Sequence, residues 1–189
     1  RWERNSSMHD IVRFTLNEED ETQMQWSSHL RILLVLRGEC IFSSNGEFVH
    51  MKAGNLWVVN PFFLYQILKG SEADVLTVSF SKEVVDGMKL AQGQEIFCRS
   101  DLQEDNNENV FQELRRLLAD LFEACVKEKE EDSLLVKSYV YRILSFLEKG
   151  FVIKGSSERE QTVQSLERLG RIIRRIHEEY DQPITLKKI

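Results

Sequence analysis

The hydrophobic pattern of this chain changes period near residue 81, and that change bounds what it can fold into. Before it, apolar and β-branched residues come in short runs divided by turn residues. Residues 31–37 are almost continuously apolar, which suits a strand buried on both faces. Gly38 breaks that run. Residues 39–44 and 47–51 flank Asn45-Gly46, the strongest short hairpin signal, because a type I′ turn needs positive φ at both central positions. Ala53-Gly54-Asn55 makes another turn. Residues 56–59 form a short strand stopped by Asn60-Pro61, and 63–68 and 73–80 follow, with Lys69-Gly70-Ser71 between them. Residues 11–16 precede the series. Short strands so closely spaced predict a barrel or sandwich, not βαβ units.

After residue 81 the period is helical. Ser81 starts a short helix through Leu90, and 95–99 return as a strand. Asp105 and Glu108 are placed as a capping box. Val110, Phe111, Leu114, Leu117, Leu118, Leu121, Phe122, Cys125 and Val126 then lie on one stripe. Leu134, Leu135, Tyr139, Ile143, Phe146 and Leu147 mark a second helix ending near Gly150. Gly155-Ser156-Ser157 breaks the chain. Val163, Leu166, Leu169, Ile173, Ile176 and Tyr180 mark a third helix, stopped before Pro183. A further helix opens at Thr185. Strands followed by helices make an α+β chain.

Composition removes several classes. The net charge is −6. Nucleic-acid affinity rests largely on Lys and Arg neutralising phosphates, so the chain by itself is a poor DNA binder. The charge is uneven: acids outnumber bases between Ser100 and Asp132, and bases outnumber acids from Leu166 onward. The longest apolar run, residues 32–36, falls far short of the ~20 residues that cross a bilayer. No apolar leader segment follows Arg1, so a cytoplasmic chain is expected, with no membrane partner. Cys40, Cys98 and Cys125 are too scattered for a zinc clip or a disulfide framework and read as buried, reduced thiols.

Two segments together resemble the AraC/XylS family of bacterial transcription regulators. The first runs Leu34-Val35-Leu36-Arg37-Gly38, the Asn45-Gly46 hairpin, Lys52-Ala53-Gly54-Asn55-Leu56 and Val59-Asn60-Pro61, and is similar to the cupin pattern of the sensor domains, with Asn55 where Asp is usual. The second runs from Ile172 to Leu186, including Tyr180-Asp181-Gln182-Pro183-Ile184-Thr185-Leu186, and is similar to the helix and turn that open the DNA-binding half. The resemblance implies a cupin-like β-barrel sensor over residues 1–100 and a helical dimerisation and packing segment over 101–152. It further implies a linker over 153–160 and the start of a truncated helix-turn-helix domain over 161–189. The recognition helices would lie beyond Ile189, so DNA would be reached through the missing part.

Many cupins hold a metal with His and carboxylate ligands. The family pattern places those ligands near residues 25–28, at Arg31 and near Tyr65. Here Gln25, Arg31 and Tyr65 stand there, and only His29 survives, in a shifted register. No metal, no cofactor and no catalytic residue are expected. A small barrel can instead hold one small ligand. Trp26, His29, Arg31, Trp57 and Tyr65 are the candidate ligand-binding residues, through aromatic stacking and arginine pairing. The plainer alternative is that Trp57 and Tyr65 fill the core and Arg31 faces solvent. Leu114, Leu117, Leu118, Leu121 and Phe122 are the candidate dimer interface, as the resemblance implies; the alternative is that they only pack on the barrel. The expected function is therefore effector sensing and dimerisation in a homodimeric regulator, not an enzyme. Two alternatives stay open: a stand-alone cupin isomerase or oxygenase, and a dimerisation module that binds no ligand.

Overall fold

In the computed structural model of the protein, residues 8–9, 11–17, 24–25, 27–44, 47–69, 72–88, 90, 94–102, 108–128 and 133–154 are described. The strands are β1 (Met8–His9), β2 (Val12–Leu16), β3 (Leu30–Arg37), β4 (Glu39–Ser44), β5 (Glu47–Lys52), β6 (Leu56–Val59), β7 (Tyr65–Lys69), β8 (Asp74–Phe80), β9 (Gln94–Ile96) and β10 (Val152–Lys154). The helices are α1 (Lys82–Val85), α2 (Glu108–Lys127) and α3 (Leu134–Phe151). The linker over 153–160 falls almost wholly outside the described residues, and the third helix and the helix-turn-helix opening fall wholly outside them. So do Trp26, the Asn45-Gly46 turn and the Asp105 cap.

The apolar run of β3 is long because both faces of its sheet are covered. Side chains alternate across a strand. Leu30 and Ile32 enter one core, and Leu33 and Val35 enter another. The sheet has the order β1-β2-β8-β3-β6, and β4 sits between β5 and β7 in a second, three-stranded sheet. Between the sheets lie Leu33, Val35, Phe42, Met51, Trp57, Val59, Tyr65, Ile67 and Val75. On the far face of the larger sheet, Val12, Phe14, Ile32, Val58, Val78 and Phe80 meet the helices.

The expected barrel is thus not closed by backbone hydrogen bonds. Its strands form two sheets packed face to face, because four connections send the chain from one sheet to the other. The turn at Gly38 takes it from β3 to β4, residues 53–55 return it to β6, residues 60–64 send it to β7, and it comes back to β8. Gly38 is required there. Its φ is +72°, and a Cβ would come within 2.7 Å of the Glu72 carbonyl oxygen. The pairing of Ser44 with Glu47 leaves two residues to connect β4 and β5, as the hairpin signal predicts.

Several boundaries moved for local reasons. β7 starts at Tyr65, not residue 63, because Phe62 has φ +65° and the Phe63 amide closes a turn on the Asn60 carbonyl, 3.2 Å away. α1 stops at Val85, not Leu90, where the Gly87 amide bonds back to Val84 instead of continuing the helix. β10 was not expected at all; it occupies the start of the segment read as linker.

The stripe on α2 packs inside the chain. Phe111, Leu114, Leu117, Leu118 and Leu121 join Val136, Val140, Ile143, Leu144 and Leu147 of α3 and the far face of the sheet in one core. Ser133 caps α3 by accepting from the Val136 amide. Arg115 Nε donates to the Gly54 carbonyl at 2.8 Å, which ties α2 to the β5–β6 turn. Strands and helices therefore share a core, and truncating one helical residue should weaken both. Leu114 is wholly buried. Leu114→Ala is expected to cost about 2–5 kcal/mol. Urea unfolding followed by far-ultraviolet dichroism and by tryptophan fluorescence should show one coincident transition at lower denaturant; two separate transitions would mean that the helices are an independent unit.

Candidate functional site

Arg31, on β3, shares a side of its strand with Leu33 and Val35, so it points between the sheets and not into solvent. There it meets two residues from other parts of the chain. Its Nη1 donates to the Tyr65 hydroxyl. The same nitrogen lies 3.5 Å from Gln25 Oε1. The Tyr65 hydroxyl donates to Gln25 Oε1 at 3.0 Å. The Arg31 guanidinium also sits 5.7 Å from the centre of the Tyr65 ring. Backbone pairing fixes the partners, since the Gln25 and Tyr65 amides each donate to the other's carbonyl at 2.7 and 3.0 Å.

From this cluster an aromatic series runs across the interior. Phe42 on β4 stacks on Tyr65, with ring centres 5.8 Å apart and planes 2° off parallel. It also packs against Trp57 on β6 at 4.7 Å. Beyond Trp57 lies Arg99, whose guanidinium stands 4.4 Å over the indole. Arg99 is held by Asp101 through two contacts, at 3.2 and 2.7 Å. It reaches Glu47 across the rim at 3.2 Å. A cleft of about 40 Å³ opens at this end, lined by Ser44, Glu47, Trp57, Asn60, Phe63 and Arg99 among others. That is room for a few waters, so a larger ligand must move side chains.

Of the five expected ligand residues, the structure brings Arg31, Trp57 and Tyr65 together on inner faces. His29 is exposed and bonds Ser27 Oγ through Nδ1 at 3.0 Å; it does not join them. Trp26 lies outside the described residues. Sequence reasoning missed Gln25 as a partner, Phe42 as the bridge between rings, and Arg99 with Asp101. Arg99 stands at the end of a stretch read only as strand 95–99, and no local pattern announces that it lies over Trp57. Of the expected dimer residues, Leu114, Leu117, Leu118 and Leu121 are buried in the chain's own core, and Phe122 is partly exposed with its ring edge-on to Phe14 at 5.2 Å.

The positions that the cupin pattern gives to metal ligands do converge: Gln25, Arg31 and Tyr65 touch one another. Their chemistry does not suit a cation, because a fixed guanidinium repels one and cannot ligate it. Among the described residues no three His, Cys, Asp or Glu side chains gather as a metal site. Burial pushes the Cys98 thiol up to about 12 and the Cys125 thiol up to about 11, which keeps both protonated at neutral pH.

Tyr65 is the joint of the inner cluster, since its hydroxyl accepts from Arg31 and donates to Gln25. Tyr65→Phe keeps the ring and removes both bonds. It is expected to cost about 1–3 kcal/mol, read from the urea midpoint; an unchanged midpoint would mean that the cluster contributes nothing to the fold.

The sequence model of a family described as the AraC-like ligand binding domain matches residues 10–144. No curated protein matches the chain. Solved structures with partial likeness include a cupin superfamily protein from Desulfitobacterium hafniense DCB-2, at 13% identity over 39% of this chain and 70% of that one, TM-score 0.36. An RmlC-like cupin from Shewanella frigidimarina NCIMB 400 is 15% identical over 39% and 70%, TM-score 0.34. Salicylate 1,2-dioxygenase from Pseudoaminobacter salicylatoxidans is 16% identical over 41% and 22%, TM-score 0.35. At these values none of the three bears on what the chain does.

Proposed function

We propose a function from one premise: the chain belongs to the AraC-like ligand binding domain family. Its cupin-like pair of sheets takes up a small effector between them, as the sensing part of a homodimeric, DNA-binding transcription regulator in the cytoplasm. The observation that carries this reading is the convergence of Arg31, Tyr65 and Gln25 on inner faces, with Trp57 one ring away. A ligand pocket needs an apolar wall and a few polar groups that meet at one place, and this interior supplies both. Arg31 offers a charge-assisted donor to a carboxylate, a hydroxyl pair or a carbonyl. Phe42 and Trp57 offer apolar ring surface. No bond making or breaking is part of this reading; the ligand acts by binding.

Such a ligand can bias a regulator only through different affinity for two arrangements of it. The surface for dimer contact would be the apolar side chains that α2 and α3 leave exposed, among them Phe122, Val126, Leu134 and Tyr141. DNA contact would come from a helix-turn-helix half, as the segment from Ile172 to Leu186 suggests.

A thermal-shift screen of small polar and aromatic metabolites on the whole chain tests this. At a hundredfold excess over its Kd, a true ligand adds about 2.7 kcal/mol of stability. Arg31→Ala is expected to abolish that gain, whereas His29→Ala keeps it. A hit whose effect survives Arg31→Ala would place the ligand elsewhere, and a screen across ligand classes without any hit would favour the module that binds nothing.

A further inference from the structure

Residues 94–100 stand between the cleft and the end of the described chain. They are bonded along both edges. On one edge they follow β6. The Val58 amide donates to the Cys98 carbonyl at 2.9 Å, and the Leu56 amide donates to Ser100 Oγ at 2.7 Å. The buried Asn60 side chain grips Ile96 twice, accepting from its amide at 2.9 Å and donating to its carbonyl at 2.8 Å. On the other edge lies β10, with Val152 opposite Ile96, Ile153 opposite Glu95 and Lys154 opposite Gln94. The Phe97 amide donates to the Phe151 carbonyl at 2.8 Å, in the same register.

Alternation along the strand divides the work. Ile96 and Cys98 aim their backbone groups at β6, while Phe97 aims at the end of α3. In an antiparallel ladder the next bonded pair after Phe97–Phe151 is Glu95–Ile153. The side chains divide too: Ile96 and Cys98 enter the core shared with the helices, while Arg99 covers Trp57. One short strand therefore forms a wall of the cleft and is also the only strand paired with β10 among the described residues. β10 ends at Lys154, and the sequence continues from there to residue 189.

We propose that residues 94–100 are a relay: a change at the cleft, where Trp57, Asn60 and Arg99 lie, is passed through β9 to β10 and to the chain that follows it. The physical reason is that a strand bonded on both edges must break backbone hydrogen bonds to part from either neighbour, so it shifts with them instead. This rests on the effector reading for its biological sense, since the cleft end is where an occupant would press on Arg99 and Asn60. The coupling itself needs no effector, and by linkage it runs equally in both directions.

Amide hydrogen exchange on the whole 189-residue chain tests it with two substitutions. Asn60→Ala cuts the grip on Ile96 at the cleft. Ile153→Pro removes the β10 amide that faces Glu95, at a partly exposed edge where folding should survive. With Asn60→Ala, exchange at Ile153 is expected to speed up about tenfold, while Leu117 and Ile143 in the helices stay within about twofold. With Ile153→Pro, the Val58 amide is expected to speed up by a similar factor. If Asn60→Ala does not fold, the Val58 amide in Ile153→Pro decides alone. Faster exchange at Ile96 with Ile153 unchanged, or no change at Val58 in Ile153→Pro, overturns the relay. Either result leaves the ligand reading to its own screen, so the two can fail separately.

Discussion

The larger sheet is covered on both faces, and the rest of the molecule follows from how that is done. A sheet with water on one side can alternate apolar and polar residues; one covered twice needs apolar residues at nearly every position. β3 meets that demand with Ile32, Leu33, Leu34 and Val35, and β6 with Leu56, Trp57, Val58 and Val59, all four buried. One face is closed by α2 and α3. The other is closed by the three-stranded sheet, and the space between the two sheets becomes the interior in which function is sought. Arg31 is the exception in this pattern: a charged residue at an inward position, opposite Val59 and Ser79. Burying a guanidinium is costly unless donors find acceptors, and Tyr65 and Gln25 are brought to it by the bridge between their backbones.

Much of this was legible in the sequence, for stated physical reasons. The run at 31–37 announced a strand buried twice, and Asn45-Gly46 announced a two-residue connection. The helical stripe at 110–126 was readable from its spacing, as was the switch of period that separates sheets from helices. Closure was not readable. Whether strands form a barrel or two facing sheets depends on which neighbours they bond, and those neighbours are distant in sequence: β3 bonds β6 and β8, and β4 bonds β7. β10 was missed because Val152-Ile153-Lys154 has no signal of its own; it is a strand only because β9 presents an edge to it.

The candidate site was legible in part. Arg31, Trp57 and Tyr65 were named from residue type and a resemblance, and they share one interior. His29 was named the same way and is exposed, since it stands just before β3 begins at Leu30 and its ring bonds Ser27. Gln25, Phe42 and Arg99 carry no chemical mark in the sequence; only folding places an amide, a ring and a guanidinium beside the residues already suspected. The same contacts define what the interior offers. An arginine, a tyrosine and a glutamine meet there beside two aromatic rings, so the interior holds hydrogen-bond donors and acceptors next to apolar surface.

The central claim is that a small molecule binds between the two sheets. The most direct measurement is a chemical-shift map of the isotopically labelled chain, titrated with a compound that stabilises it. The account predicts saturable shifts confined to the Trp57 indole, the Arg31 and Arg99 side chains and the backbone around Tyr65 and Phe42. Saturable shifts confined to the exposed faces of α2 and α3, with those interior signals unmoved, would contradict it.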